Sequence, residues 1–154
     1  MAEVQLDFNS FAHLYERLLV PAWFGPWAPQ LVAYAGIHPG EQVLDVACGT
    51  GLTSRAVAAA GASVVGVDRN ESMLGYGRAV SEGIDLRPGD AGELPFPDNA
   101  FDAVLCQAGF MYFDDRERAA AEMHRVLKPS GRVALLVWGP IERSPGYARL
   151  AEFF

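Results

Sequence analysis

Residues Val43 to Gly51 read Val-Leu-Asp-Val-Ala-Cys-Gly-Thr-Gly. A short apolar strand reaches an acid, breaks into a loop of small residues, and passes into a helix-like run from Leu52 to Ala60. Gly49 and Gly51 let the backbone turn tightly and come close to a ligand. The N–H groups that open the helix have no partners inside it, so they can hold a polar group. The spacing Ala47-x-Gly49-x-Gly51 differs from the G-x-G-x-x-G of dinucleotide dehydrogenases. By itself such a loop also fits a structural glycine turn in any doubly wound protein.

The rest of the chain tells these apart. After the turn His38-Pro39-Gly40-Glu41, strand and helix patterns alternate. Strands are expected at Gln42–Val46, Ser63–Val67 (ending at Asp68), Ile84–Arg87, Phe101–Gln107 and Arg132–Trp138. Helices are expected over Leu52–Ala60, Glu71–Ser81 and Arg116–Leu127, with Lys128–Gly131 as a turn and Asp90–Asn99 as a loop. Alternation implies a parallel sheet with right-handed crossovers, and near-continuous apolar strands imply a sheet covered on both faces. Ahead of this core, Asn9 or Ser10 can cap a first helix. Its apolar face would be Phe11, Leu14, Tyr15, Leu18 and Leu19, and Pro21 would end it. A second helix fits Pro26 to Ala35, stopped by Gly36. Leu18 to Ile37 lacks charge, but Pro21, Pro26 and Pro29 break it, so two short packed helices are expected rather than a membrane span.

With 154 residues the chain has the size of one domain. Its 51% hydrophobic and 20% charged residues suit a packed core. A net charge of -7, a lone lysine at Lys128 and scattered arginines speak against a nucleic-acid backbone as partner. Cys48 and Cys106 sit in or beside strands and read as free thiols of a reducing compartment. Met1 to Ser10 has no basic n-region, so no secretory leader and a cytoplasmic location are expected.

In open parallel sheets, ligands bind beyond the carboxyl ends of the strands at the switch point. The first strand offers the Gly49/Gly51 loop there, and the second ends in Asp68, an acid that can accept from two ribose hydroxyls or cap a helix. The third leads to Gly89-Asp90-Ala91, and the fourth ends Cys106-Gln107-Ala108-Gly109-Phe110.

The loop at Ala47–Gly51 resembles motif I of the class I methyltransferases that use S-adenosylmethionine. Gly89 to Val104 resembles the segment between strands three and four of their type 11, small-molecule branch, and Val126 to Leu135 resembles the turn into their fifth strand. The likeness spans about residues 8 to 138. It implies a Rossmann-like, three-layer α/β/α fold with strand order 3-2-1-4-5. Residues 1–40 would form helices over the site, 41–138 the core, and 139–154 the start of a C-terminal helix. It implies S-adenosyl-L-methionine as cofactor, with Asp45, Ala47, Gly49 and Gly51 along its methionine part and Thr50 and Arg69 among the residues that bind it. Asp68 would hold the ribose, with Met73 on the adenine, Asp90 on the adenine amino group, the Ala91 N–H on the ring, and Gln107 beside the methionine portion. Tyr15 would cover the cofactor. Ala47 stands where the family often has glycine, and Met73 could equally be core filler.

A sulfonium donor carries an activated methyl group, so no fixed catalytic residue is demanded; the acceptor must be held in line, about 3–3.5 Å from the methyl carbon. A general base is needed only where the acceptor loses a proton. His13 is a candidate by its place in the covering helix, or else a surface histidine; His38 and His124 are poorly placed. Phe110, Tyr112 and Phe113 could wall an acceptor pocket or plug a strand–helix turn. No G-x-S-x-G elbow, P-loop or metal-spaced His/Cys cluster appears in the sequence.

The family fold continues past the fifth strand with a helix and an antiparallel strand pair, whereas the sequence stops at Phe154. The apolar fifth strand would then be an exposed edge. Self-association through it, or a partner that supplies strands, is expected; a clean monomer at micromolar concentration in size-exclusion chromatography with light scattering would contradict this. Three functions follow in order: methyl transfer to a small molecule, cofactor binding without turnover or only with a partner, and nicotinamide-dependent oxidoreduction.

Overall fold

The fold is described from a computed structural model covering residues 11–140. The cap at Asn9 or Ser10 lies outside the described residues, as does nearly all of the helix expected over 139–154.

Five parallel strands form one sheet in the order β3-β2-β1-β4-β5. They are β1 (Gln42–Val46), β2 (Ser63–Asp68), β3 (Asp85–Pro88), β4 (Phe101–Gln107) and β5 (Leu127–Leu136). Alternation along β1 and β4 sends side chains to two cores. Val43, Ala103 and Leu105 join Leu31 and Val32 of α2 (Trp27–Tyr34) and Val57 of α3 (Leu52–Ala59). Leu44, Val46, Val104 and Cys106 join Met123 and Val126 of α5 (Arg116–Val126). Helices on both faces explain why neither strand alternates with polar residues. Leu74 of α4 (Glu71–Val80) closes a third cluster with Cys48 and Leu86. Gly66 permits that packing, because a Cβ there would stand 2.6 Å from Leu86 and 2.8 Å from the Cys48 sulfur.

Chain direction across the sheet reverses at β1, which has β2 on one side and β4 on the other. The crevice at their carboxyl ends is where such sheets bind ligands.

Two expectations need correction. Pro21 does not end the first helix: α1 (Phe11–Leu14) passes into a ten-residue π-helix, Tyr15–Phe24, with Pro21 inside it. It closes with Gly25 N–H donating to the Val20 carbonyl at 2.6 Å. A proline in an α-helix clashes with the carbonyl four residues back, and the wider i→i+5 turn relieves that clash. The expected apolar face does not pack on the core at Phe11, Leu14 and Leu18. Phe11 is 64% exposed and Leu18 57%, while Ala12 and His13 are buried instead. The second correction concerns β5, which starts at Leu127. Leu127 pairs with Phe101 but Arg132 pairs with Ala103, so the expected Lys128–Gly131 turn is a bulge within the ladder.

No helix among the described residues is long and apolar enough to cross a membrane. Cys48 and Cys106 are buried free thiols, and burial pushes both thiols up, Cys106 to about 12.

Candidate cofactor site

A cleft of about 670 Å³ opens over the carboxyl ends of β1, β2 and β4. That is the size of an ordinary small-molecule site. Nine of the twelve residues expected at the cofactor line it: Tyr15, Ala47, Gly49, Asp68, Arg69, Met73, Asp90, Ala91 and Gln107. Asp45, Thr50 and Gly51 do not.

The loop after β1 sets the floor. Ala47, Gly49 and Gly51 all have left-handed backbone, with φ of 58°, 56° and 82°. For Ala47 this costs roughly 1–2 kcal/mol, which a glycine would not incur. Its Cβ also occupies the space beside Gly109, where an added Cβ would stand only 2.6 Å away. Gly51 is a structural requirement: a Cβ there would lie 2.9 Å from the Ser81 hydroxyl oxygen.

Asp68 is the junction of the site. Its Oδ2 accepts the Gly49 N–H at 2.8 Å, and its Oδ1 accepts the Asn70 N–H at 2.8 Å. The cap of α4 is Asn70, which accepts from Ser72 and Met73 N–H, so Asp68 is not the helix cap. An ionised carboxylate has about four acceptor positions. Two remain on Asp68 for groups in the cleft. Asp90 folds into a tight turn, its Oδ1 accepting the Gly92 N–H at 2.7 Å while its carbonyl accepts the Glu93 N–H at 3.0 Å. Met73 is buried at the cleft wall with its methyl carbon 3.4 Å from where a Cβ on Gly49 would sit.

The remaining expected residues make contacts of their own. Asp45 is wholly buried behind the loop and accepts from the Ser54 hydroxyl at 2.6 Å. Its other oxygen has no hydrogen-bond partner. Burial, with Asp68 nearby, raises this carboxyl to about 7 against the Ser54 hydrogen bonds. The Thr50 hydroxyl donates to Glu16 at 2.5 Å, away from the cleft. Gln107 reaches the cleft, but its polar atoms are engaged: Oε1 accepts from Thr53 at 3.2 Å and Nε2 donates to the Phe24 carbonyl at 2.9 Å. Arg69 lies on the exposed rim beside Asp114. His13 is buried beside Tyr76, its Nδ1 3.4 Å from the phenol oxygen, and is not among the cleft residues.

Tyr15 closes one side of the cleft together with Phe11 and Phe24. Burial first, then the charges of Glu16, Asp45 and Asp68, push its phenol above the ordinary range, so it stays a neutral hydroxyl donor. Tyr112 and Phe113 line the cleft from the β4–α5 connection, and Phe110 packs in the α5-side core against Phe113. The charged lining is lopsided: Asp68, Asp90, Glu93, Asp114 and Asp115 against Arg69 and Arg118. Such a cleft favours a cation over an anion. Among the described residues no cluster could hold a metal ion.

The profile of the methyltransferase domain family matches residues 44–135. A demethylmenaquinone methyltransferase of Renibacterium salmoninarum is 43% identical over 109 residues, covering 71% of this chain and 46% of that protein. A ubiquinone/menaquinone biosynthesis C-methyltransferase of Cupriavidus taiwanensis is 41% identical over 151 residues, covering 89% of this chain and 62% of its own. The crystal structure of an S-adenosylmethionine-dependent methyltransferase from Mesorhizobium loti superposes with a TM-score of 0.66 at 30% identity, over 73% of this chain and 54% of that one. The chain spans about half the length of the curated relatives it matches.

Proposed function

Because the chain belongs to the type 11 methyltransferase-domain family of the class I, S-adenosylmethionine-dependent methyltransferases, we propose that its cleft binds S-adenosylmethionine and serves methyl transfer to a flat, uncharged aromatic acceptor. The observation that carries this reading is Asp68. Two backbone N–H groups, from the glycine loop and the start of α4, fix a carboxylate with spare acceptor positions facing a cleft of cofactor size. Vicinal hydroxyls of a ribose suit that arrangement.

The residues present fit the rest of the group. The glycine loop leaves room beside Gly49, Met73 and Ala91 supply apolar walls for a purine, and Asp90 supplies an acceptor for its amino group. The acidic lining suits a cofactor with a sulfonium and an ammonium, and it opposes the pyrophosphate of a nicotinamide dinucleotide. When bound, the sulfonium supplies an activated methyl group and its own leaving group. The chain then has to hold the acceptor in line and keep water out. Tyr15, Phe11 and Phe24 cover the cleft, and Tyr112 and Phe113 add aromatic surface after β4. Offset or edge-on contact with such rings favours an aromatic acceptor by about 0.5–1.5 kcal/mol per pair. One relative is named as a demethylmenaquinone methyltransferase and another as a ubiquinone/menaquinone biosynthesis C-methyltransferase, which supports an acceptor of this kind.

The test is incubation with S-adenosylmethionine and a reduced 1,4-naphthoquinone bearing a free ring position, beside glycine and a simple catechol. We expect S-adenosylhomocysteine release with the naphthohydroquinone and a new methyl group on ring carbon. Methylation of the amine or catechol oxygen alone would contradict the aromatic-carbon reading. Association through β5 remains part of the proposal: Val133, Leu135 and Val137 stay exposed at this edge of the sheet among the described residues.

A further inference from the structure

We propose that Glu16 and Arg55 are positioning residues that clamp the glycine loop to the covering segment, so that closing the cover and setting the loop are one event. This rests on the reading of the cleft as the cofactor site. Thr50, between Gly49 and Gly51, is completely buried. Its hydroxyl donates to Glu16 Oε2 at 2.5 Å. Its carbonyl accepts from Arg55 Nη1 at 2.9 Å and from the Ser81 hydroxyl at 3.1 Å. Arg55 also donates to Ser81 Oγ at 2.8 Å and forms an ion pair with Glu16. One guanidinium therefore bonds both the loop backbone and the acid that holds the loop hydroxyl.

Glu16 belongs to the Tyr15–Phe24 π-helix, an element with no buried residue. A segment that contributes so little to the core has low local stability. Its attachments are specific: Glu16 at one end, and the Phe24 carbonyl bonded by Gln107 at the other. Tyr15, next to Glu16, lines the cleft. The Glu16 and Arg55 side chains are only 17% and 27% exposed, so solvent screens this pair less than the open ion pairs of the surface.

The clamp is tested with Glu16→Gln, Glu16→Asp and Thr50→Val. Asp85→Asn, which breaks an ion pair on β3 away from the cleft, is the control. Hydrogen exchange is followed in ligand-free protein for residues 11–24 and 48–52, and release of S-adenosylhomocysteine is followed by stopped-flow displacement. We expect Glu16→Gln and Thr50→Val to speed exchange in both segments together and to raise the release rate about tenfold, since changes at one site appear mainly in dissociation. Glu16→Asp should recover part of the effect and Asp85→Asn should show none. Faster exchange confined to residues 11–24, with loop exchange and release unchanged, would overturn the clamp and leave Glu16 a helix anchor. If the wild-type protein does not bind S-adenosylhomocysteine, the cofactor reading fails, while the exchange comparison still decides whether cover and loop move as one. Should Glu16→Gln not fold, Thr50→Val carries the same comparison.

Discussion

Replacing Asp68 with alanine is expected to abolish measurable S-adenosylhomocysteine binding while the sheet stays folded. The carboxylate accepts the Gly49 and Asn70 N–H groups and, in this account, two ribose hydroxyls. A hydrogen bond to a charged group contributes about 1.5–3 kcal/mol, so loss of the two ribose bonds alone lowers affinity by roughly 10²- to 10⁴-fold. The freed Gly49 N–H would also loosen the loop. Asp68 is only partly buried, and Asn70 still caps α4, so the thermal midpoint should fall far less than the affinity. Asp68→Asn separates charge from shape: it keeps one acceptor oxygen and should bind with intermediate affinity. Equal affinity in wild type and Asp68→Ala, by calorimetric titration, would remove Asp68 from the site.

The second large effect is on stability and its pH dependence. Asp45 is wholly buried with one oxygen unpartnered, and burial lifts its carboxyl from 3.8 to about 7. A carboxyl raised in the folded state stays protonated there while the unfolded chain ionises. Its contribution is therefore complete below about pH 4 and is lost as pH rises toward 7. A shift of this size corresponds to a loss on the order of 4 kcal/mol over that window. Asp45→Asn cannot titrate, so its stability relative to wild type should climb from pH 4 to pH 8 and then level off. Glu41, Asp85, Asp102 and Glu122 are held below their ordinary range by arginine or lysine partners and backbone N–H groups, and they drive the opposite trend. They are common to both proteins and cancel in the difference. A difference in unfolding free energy that is flat with pH would refute the buried, protonated Asp45.

The core of this fold was legible because its signals are local. Gln42–Val46 and Phe101–Gln107 are apolar runs with clear ends, and both strands have those bounds. Asp68 and Asp90 were legible as acids at strand ends in a topology that gathers those ends. The cover was not legible in this way. Phe11, Leu14 and Leu18 recur at helical spacing, which reads as a buried face, yet all three are exposed: Phe11 lines the cleft, and Leu18 lies in the π-helix, which has no buried residue. The clamp was missed because its partners are distant in sequence: Glu16 is 34 residues from Thr50 and 39 from Arg55. The one available sign was Glu16 itself, an acid beside Tyr15. Gln107 lines the cleft at the end of β4, but nothing near it in sequence marks Thr53 and the Phe24 carbonyl as the partners of its amide.

Calorimetric titration of the wild-type chain with S-adenosylhomocysteine, in parallel with NADH, decides whether the cleft over β1, β2 and β4 is an S-adenosylmethionine site. We expect one site of about micromolar affinity for S-adenosylhomocysteine, near 8 kcal/mol of binding free energy, and no heat from NADH. Binding of NADH alone, or of neither ligand by a demonstrably folded sample, would contradict it.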